Sequence, residues 1–280
     1  MKSNILVIGG TGKTGRKVVE RLQDLQQNVR IGSRSANPSF DWQDPTNWAE
    51  VLKGIDKVYI TFQPDLAVPG ALKAIETLTH NMKNSDVKKV VLLSGKGEKE
   101  AELCEQVIIH SGIDYSIVRA SWFMQNFSES FFLDPIVAGH VALPNADAKV
   151  PYVSTDDIAE VATKALLDDQ YNGQIYELTG PRLLTFSEIV QEISIATGRD
   201  IQFTPISLPA YSDIMRELQV PEDFIWLINY LFTEVLGAQG NDLVTSDVEK
   251  VLGRKPVDFS DFVRETAKTG VWNQVMPHQA

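Results

Sequence analysis

The chain has 280 residues, 43% hydrophobic and 22% charged, with a formal charge of -11. These values describe one large globular domain or two intimate ones, able to bury a core without metals or disulfides. They argue against non-specific binding to nucleic acid or anionic membranes. The single Cys104 excludes an intramolecular disulfide, and His80, His110, His140 and His278 lack zinc-ligand spacing, so no metal is expected.

Asn4–Gly9 is a short apolar run of the kind a strand buried on both faces requires. A glycine-rich turn, Gly10–Gly15, follows, then Arg16–Asp24, where Val18, Val19 and Leu22 make a helical stripe. Val29–Ser33 reads as a second strand and Asp41–Trp42 as the end of a poor third one. Asp44 and Pro45 supply N-cap and N1 of a helix running to Lys53. Strands at Lys57–Phe62, Lys89–Ser94 and Tyr115–Arg119 alternate with helices at Val68–Met82 and Glu98–His110, the latter ended by Gly112.

Alternation of this kind from residue 4 to 119 predicts an α/β fold with a Rossmann-type, doubly wound parallel sheet. Gln174–Thr179 extends that sheet, after a helix over Asp156–Leu167. Capping-box spacing opens helices at Thr185…Glu188 and Ser246…Glu249. The expected organisation is a nucleotide-binding core over residues 1–120, completed by about 150–180. A smaller, mainly helical C-terminal substrate region takes 121–149 and 181–280, and should form a cleft at the carboxyl ends of the strands. No signal peptide and no apolar run of ~18 residues is seen, so a cytoplasmic location is expected.

Gly10, Gly12 and Gly15 fit G-x-G-x-x-G, and Gly9, Gly12 and Gly15 fit G-x-x-G-x-x-G. Placed between a buried strand and a helix, the pattern is the dinucleotide fingerprint. Glycine permits a tight turn and close backbone approach to a pyrophosphate, and the helix start offers amides and a partial positive charge. Gly12-Lys13-Thr14 also looks like the end of a P-loop, but Val7 stands where that motif needs its first glycine. The strand Val29–Ser33 runs into Ser33-Arg34, with no carboxylate where an NAD site places one for the ribose hydroxyls. An arginine beside a hydroxyl suits a 2′-phosphate, with Lys13 as an added cation. NADP(H) is therefore favoured, and NAD(H) remains admissible.

Short-chain dehydrogenases carry a Tyr-x-x-x-Lys pair after a serine near the strand Lys89–Ser94. Ser94 is present, but no tyrosine occurs between it and Tyr115. Gly9–Gly15 (GGTGKTG), Ser94-Gly95, Glu105 with Ser111–Arg119, Trp122–Ser128 (WFMQNFS), Val153 with Asp157–Ala159, and Leu252–Arg254 with Phe259 follow one another in a recognisable order. In these pieces the chain resembles an atypical short-chain dehydrogenase of the NmrA-like family. It is most similar to the branch of festuclavine and agroclavine dehydrogenases and azoreductases. The resemblance implies NAD(P) binding. It implies that Thr11 to Thr14 hold the pyrophosphate, Arg34 the adenosine phosphate, and that Asp44, also a good N-cap, lies near the adenine. Thr61, Phe62 and Gln63, with Ser94, Gly95 and Lys96, would line the ribose and nicotinamide. Trp122, Phe123 and Asn126 would border the substrate, although the two aromatics also suit a core.

Two functions follow as expectations. One is an NADPH-dependent reductase of a small flat or cationic compound: an iminium, quinone or enone, whose reduction does not demand the missing tyrosine as proton donor. No catalytic residue is assigned. Tyr152 is the one tyrosine placed to reach a cleft from the far side, unless it packs in the second region. The other function is a non-catalytic redox sensor that reads NADP(H) and contacts a protein partner or a second copy of the chain. Phe224–Leu227 would be its contact surface, unless those residues are core.

Overall fold

The computed structural model describes residues 2–238 and 240–273, and His278 lies outside them. In β1 (Asn4–Ile8), Ile5 to Ile8 are wholly buried, as a strand covered on both faces must be. It pairs in parallel with β2 (Asn28–Gly32) and β3 (Lys57–Ile60). The sheet continues through β4 (Lys89–Gly95), β5 (Asp114–Ala120) and, past β6 (His140–Leu143), β7 (Gln174–Leu178). The order is β2-β1-β3-β4-β5-β7, so the winding reverses between β1 and β3. That reversal is the switch point, where doubly wound sheets receive ligands beyond their carboxyl ends.

Helices α1 (Gly15–Asp24) and α6 (Thr155–Leu167) pack together, and α1 buries Val18, Val19 and Leu22 as its stripe requires. Helices α2 (Trp48–Leu52), α3 (Ala71–Lys83) and α4 (Lys99–Ile109) share a core with Leu6, Ile8, Val58, Ile60, Val90 and Leu92, one alternating face of the strands. These elements form one compact unit of Met1–Ala120, Thr155–Leu178 and Ser246–Lys255. Its last piece carries α10 (Asp247–Leu252), joined to α6 by Arg254, which binds Asp157 at 2.8 Å and Glu160 at 2.6 Å. Lys17 of α1 binds Asp156 at 2.6 Å.

A second unit comprises Ser121–Ser154, Thr179–Thr245 and Pro256–Ala280. It holds α5 (Leu133–Ala138), α7 (Phe186–Thr197), α8 (Leu208–Glu217), α9 (Glu222–Tyr230) and α11 (Phe259–Lys268). Phe127, Phe132, Tyr152, Phe186, Phe232, Phe259 and Trp272 give it a strongly aromatic core. The Trp272 indole donates to the Phe127 carbonyl at 2.8 Å. The capping box at Thr185 forms in full, with each residue's amide donating to the other's side chain.

The structure departs from the sequence reading in four places. Asp41–Trp42 is no strand: Asp41 makes only an isolated bridge to Asp44, and Trp42 is held by edge contacts with Phe40 and Trp48. Ser246 makes no capping bond, although α10 starts after it; the neighbouring Asp247 accepts from the Glu177 amide at 2.9 Å instead. The second unit is not wholly helical, because β6 pairs in parallel with β8 (Gln202–Pro205). Two four-residue strands with little alternation give no readable signal. Segment Ser246–Lys255, read from sequence as part of the C-terminal region, clusters with the sheet unit.

Candidate functional site

The turn after β1 is packed tightly around its glycines. Gly9 adopts φ +73°, which favours glycine, and a Cβ there would overlap Thr61. Its amide donates to Gly32 at the end of β2, and its carbonyl accepts from Gly12. A Cβ on Gly15 would overlap the Gly9 carbonyl, so only glycine lets α1 start this close to the turn. Gly10 is nearly as confined, with a Cβ position 3.0 Å from Ile31. Gly12 differs: a Cβ would meet only the Gly9 carbonyl, at 3.3 Å, and would otherwise project into open space. Among the described residues the Thr11 and Thr14 amides donate to no protein acceptor. Beneath the turn, wholly buried Tyr59 donates to the Thr14 hydroxyl at 3.1 Å, and burial raises its pKa.

At the end of β2, Ser33 lies 3.2 Å from the Ser35 hydroxyl, and its carbonyl accepts from Ala36 and Phe40. Arg34 is exposed and, among the described residues, makes no ion pair or side-chain hydrogen bond. Lys13 is half-buried and engaged. Asp44 is an N-cap, accepting from the Thr46 amide at 3.1 Å and hydroxyl at 2.7 Å, which lowers its pKa.

Thr61, Phe62 and Gln63 follow β3, with the Phe62 ring 4.6 Å from Trp42. Ser94 and Gly95 end β4, and the Lys96 amide continues the pairing to Ala120. Ser94 donates at 2.6 Å to wholly buried Glu105, which Arg119 grips through Nε at 2.9 Å and Nη2 at 2.6 Å. Bonding to Glu105 raises the Arg119 pKa. The β4–β5 register sets Ser94 beside Arg119. Sequence reading listed Ser94, Glu105 and Arg119 but missed that one buried carboxylate joins them. It also missed Tyr59, inside β3 beneath the turn, whose bond to Thr14 has no cue in the sequence.

In the second unit Trp122 is half-buried and stacks on Phe132, with Phe232 at its edge. Phe123 bridges Val153, and Asn126 is half-buried and engaged. Tyr152 sits in the aromatic core between Phe127, Phe186 and Phe259, 1% exposed, its hydroxyl without a partner. Burial raises its pKa well above the usual range. Its side chain is packed, which runs against the substrate contact read from sequence. Ile225 and Leu227 are core as well, and only Trp226 of that segment is substantially exposed, stacked on Tyr230. Among the described residues no helix is long and apolar enough to cross a membrane.

Comparison with known proteins agrees with this architecture. Over 93% of this chain and 99% of the other, the fold matches an NADPH complex of quinone oxidoreductase QOR2 from Escherichia coli, with TM-score 0.76 and 17% identity. In sequence the chain is 31% identical to prestalk A differentiation protein A of Dictyostelium discoideum, covering 95% of this chain and 93% of that one. It is 28% identical to agroclavine dehydrogenase of Claviceps fusiformis, covering 96% and 98%. The NmrA-like family model matches residues 1–263, and the chain belongs to the NmrA-like family.

Proposed function

We propose that this NAD(P)H-dependent oxidoreductase prefers NADPH and reduces a small flat or cationic acceptor: an iminium, a quinone or an enone. The carrying observation is the cradle at Gly9–Gly15 with unpartnered Arg34 at the end of the neighbouring strand. Gly12 leaves room for a pyrophosphate, and the amides of Thr11 and Thr14 are free to donate to it. Arg34, with Ser33 beside it, would bind a 2′-phosphate through charge-assisted bonds. Lys13 and Asp44 complete that side. Thr61, Phe62 and Gln63, with Ser94, Gly95 and Lys96, would line the remainder, Ser94 through its backbone because its hydroxyl is given to Glu105. Reduced nicotinamide, when bound, supplies a hydride.

Which acceptors suit the chain follows from its proton donors. Tyr152 is buried in an aromatic core and Tyr59 is bonded beneath the turn. A ketone becomes an alkoxide that needs a donor, whereas an iminium needs only hydride and a quinone yields a stabilised anion. Trp122, Phe123 and Asn126 are assigned to the substrate, the aromatics suiting flat or cationic compounds. The name agroclavine dehydrogenase on one relative and quinone oxidoreductase on the structural neighbour support this range.

The test is NADPH consumption against a panel of iminium, quinone and enone compounds. Turnover on at least one class is expected. Tight NADPH binding without turnover on any would favour the second reading, a cofactor-reading regulator, which the relative named as a differentiation protein supports.

A further inference from the structure

Tyr59 puts a hydroxyl into the middle of a buried strand. Val58 and Ile60 on either side of it face the core shared with α2, α3 and α4, so Tyr59 points to the opposite face of the sheet. Its register partners, Val7 of β1 and Val91 of β4, are wholly buried. Tyr59 is wholly buried too, and among the described residues its hydroxyl reaches one polar atom, the Thr14 hydroxyl at 3.1 Å. A buried O–H must donate to something, so the phenol donates and Thr14 accepts.

Thr14 stands at the N-cap of α1. A threonine there ordinarily takes an extended backbone and accepts from the amide two or three residues on. Thr185 does this at the start of α7, its hydroxyl accepting from the Glu188 amide at 3.2 Å. Thr14 does neither: its backbone is helical, at φ -92° and ψ -44°, and its side chain makes no capping bond. Among the described residues the Thr14 and Gly15 amides donate to no protein acceptor, so the start of the helix is open.

We propose that Tyr59 is a positioning residue for the dinucleotide: by holding the Thr14 hydroxyl beneath the turn, it stops that threonine from capping α1 and leaves the first amides of the helix to the pyrophosphate. The inference rests on the cofactor reading above and deepens it. A cap and a phosphate compete for the same helix end. Released from Tyr59, the Thr14 hydroxyl would accept from the α1 amides, draw its own backbone toward the extended region and set an oxygen where the phosphate oxygens would lie. Tyr59, being wholly buried, acts through Thr14 and not on the cofactor itself.

The test is the dissociation constants of NADPH and NADH, by fluorescence titration, on the whole chain, on Tyr59→Phe, and on Tyr59→Phe combined with Thr14→Val. Phenylalanine fills the space of the tyrosine ring and lacks only the donor. In Tyr59→Phe, each cofactor that the parent binds should bind about tenfold more weakly, the worth of one hydrogen bond to a charged group. Adding Thr14→Val removes the oxygen that would cap the helix and replaces the bonded pair with apolar groups of the same shape. Affinity should then return to within about threefold of the parent. A merely structural role for Tyr59 gives the opposite result, since a second substitution in a damaged turn weakens binding further.

A weakened Tyr59→Phe that Thr14→Val fails to restore would overturn the proposal. So would unchanged affinity in Tyr59→Phe, and in that case the cofactor reading stands while the proposal alone is lost. A parent that binds neither NADPH nor NADH sinks the cofactor reading and the proposal with it.

Discussion

Two carboxyls, one in each unit, answer their surroundings in opposite ways. In the sheet unit, Glu98 is buried, and burial pushes its pKa well above the carboxylate range. In the second unit, Asp258 is held ionised, its pKa lowered to about 2 by bonds from Arg182 and Ser260. Their pH responses therefore run in opposite directions. Above the ordinary carboxylate range, the unfolded chain loses the Glu98 proton while the folded one keeps it, so the contribution of Glu98 to stability is largest in acid and weakens as pH rises toward the raised value. Asp258 stabilises above its unfolded value of 3.8 and loses that contribution as pH falls to about 2. A carboxyl with an arginine partner, as Asp258 with Arg182, marks a fixed joint.

The sheet unit contains the pair that tests this distinction most severely. Glu105 is wholly buried and bound by Arg119 through two nitrogens, and removing Arg119 would leave it without that partner. Arg119→Met should cost about 3–5 kcal/mol, as for other broken buried pairs, read from urea unfolding. A loss under about 1 kcal/mol would mean that the Arg119–Glu105 pair is not a fixed joint, and the comparison would collapse. Gly12→Val comes next. The chain has room for the side chain, so the fold should survive. The ~2.7 kcal/mol that NADP contributes at a hundredfold excess over its Kd should vanish, seen as the loss of its melting-temperature shift. A normal shift would place the phosphate site elsewhere.

Asp258→Asn gives a smaller, pH-bound effect: stability lost at neutral pH, the difference from the parent vanishing as pH falls to about 2, so that acid denaturation is flatter. An unchanged acid limb would remove Asp258 as its source. Smallest is Tyr152→Phe. Deleting an unpartnered buried hydroxyl should move stability by less than ~1 kcal/mol and leave rates with an iminium and a simple ketone intact. A rate loss of ~100-fold or more would make Tyr152 the proton donor.

Much of the sheet unit is legible in the chain because its code is local. Continuous aliphatic runs such as Ile5–Ile8, stripes such as Val18, Val19 and Leu22, and glycines at fixed offsets each report on their own surroundings. The glycine turn is readable for the same reason. Asp41–Trp42 was misread because Phe40 and Trp42, aromatics that pack together on a loop, look like the end of a strand. The Ser94–Glu105–Arg119 cluster was not legible, since it depends on register between strands far apart in sequence. The aromatic core of the second unit hides Tyr152 similarly: its position before Val153 carries no sign that Phe127, Phe186 and Phe259 enclose it.

The central claim is that Ser33-Arg34 makes this an NADPH site. The direct measurement is the pair of dissociation constants for NADPH and NADH, on the parent chain and on Arg34→Ala. The account predicts tighter NADPH binding in the parent. In the variant, NADPH should weaken about tenfold to hundredfold, the worth of a charge-assisted phosphate contact, while NADH barely changes. Equal affinity of the parent for both cofactors would contradict it.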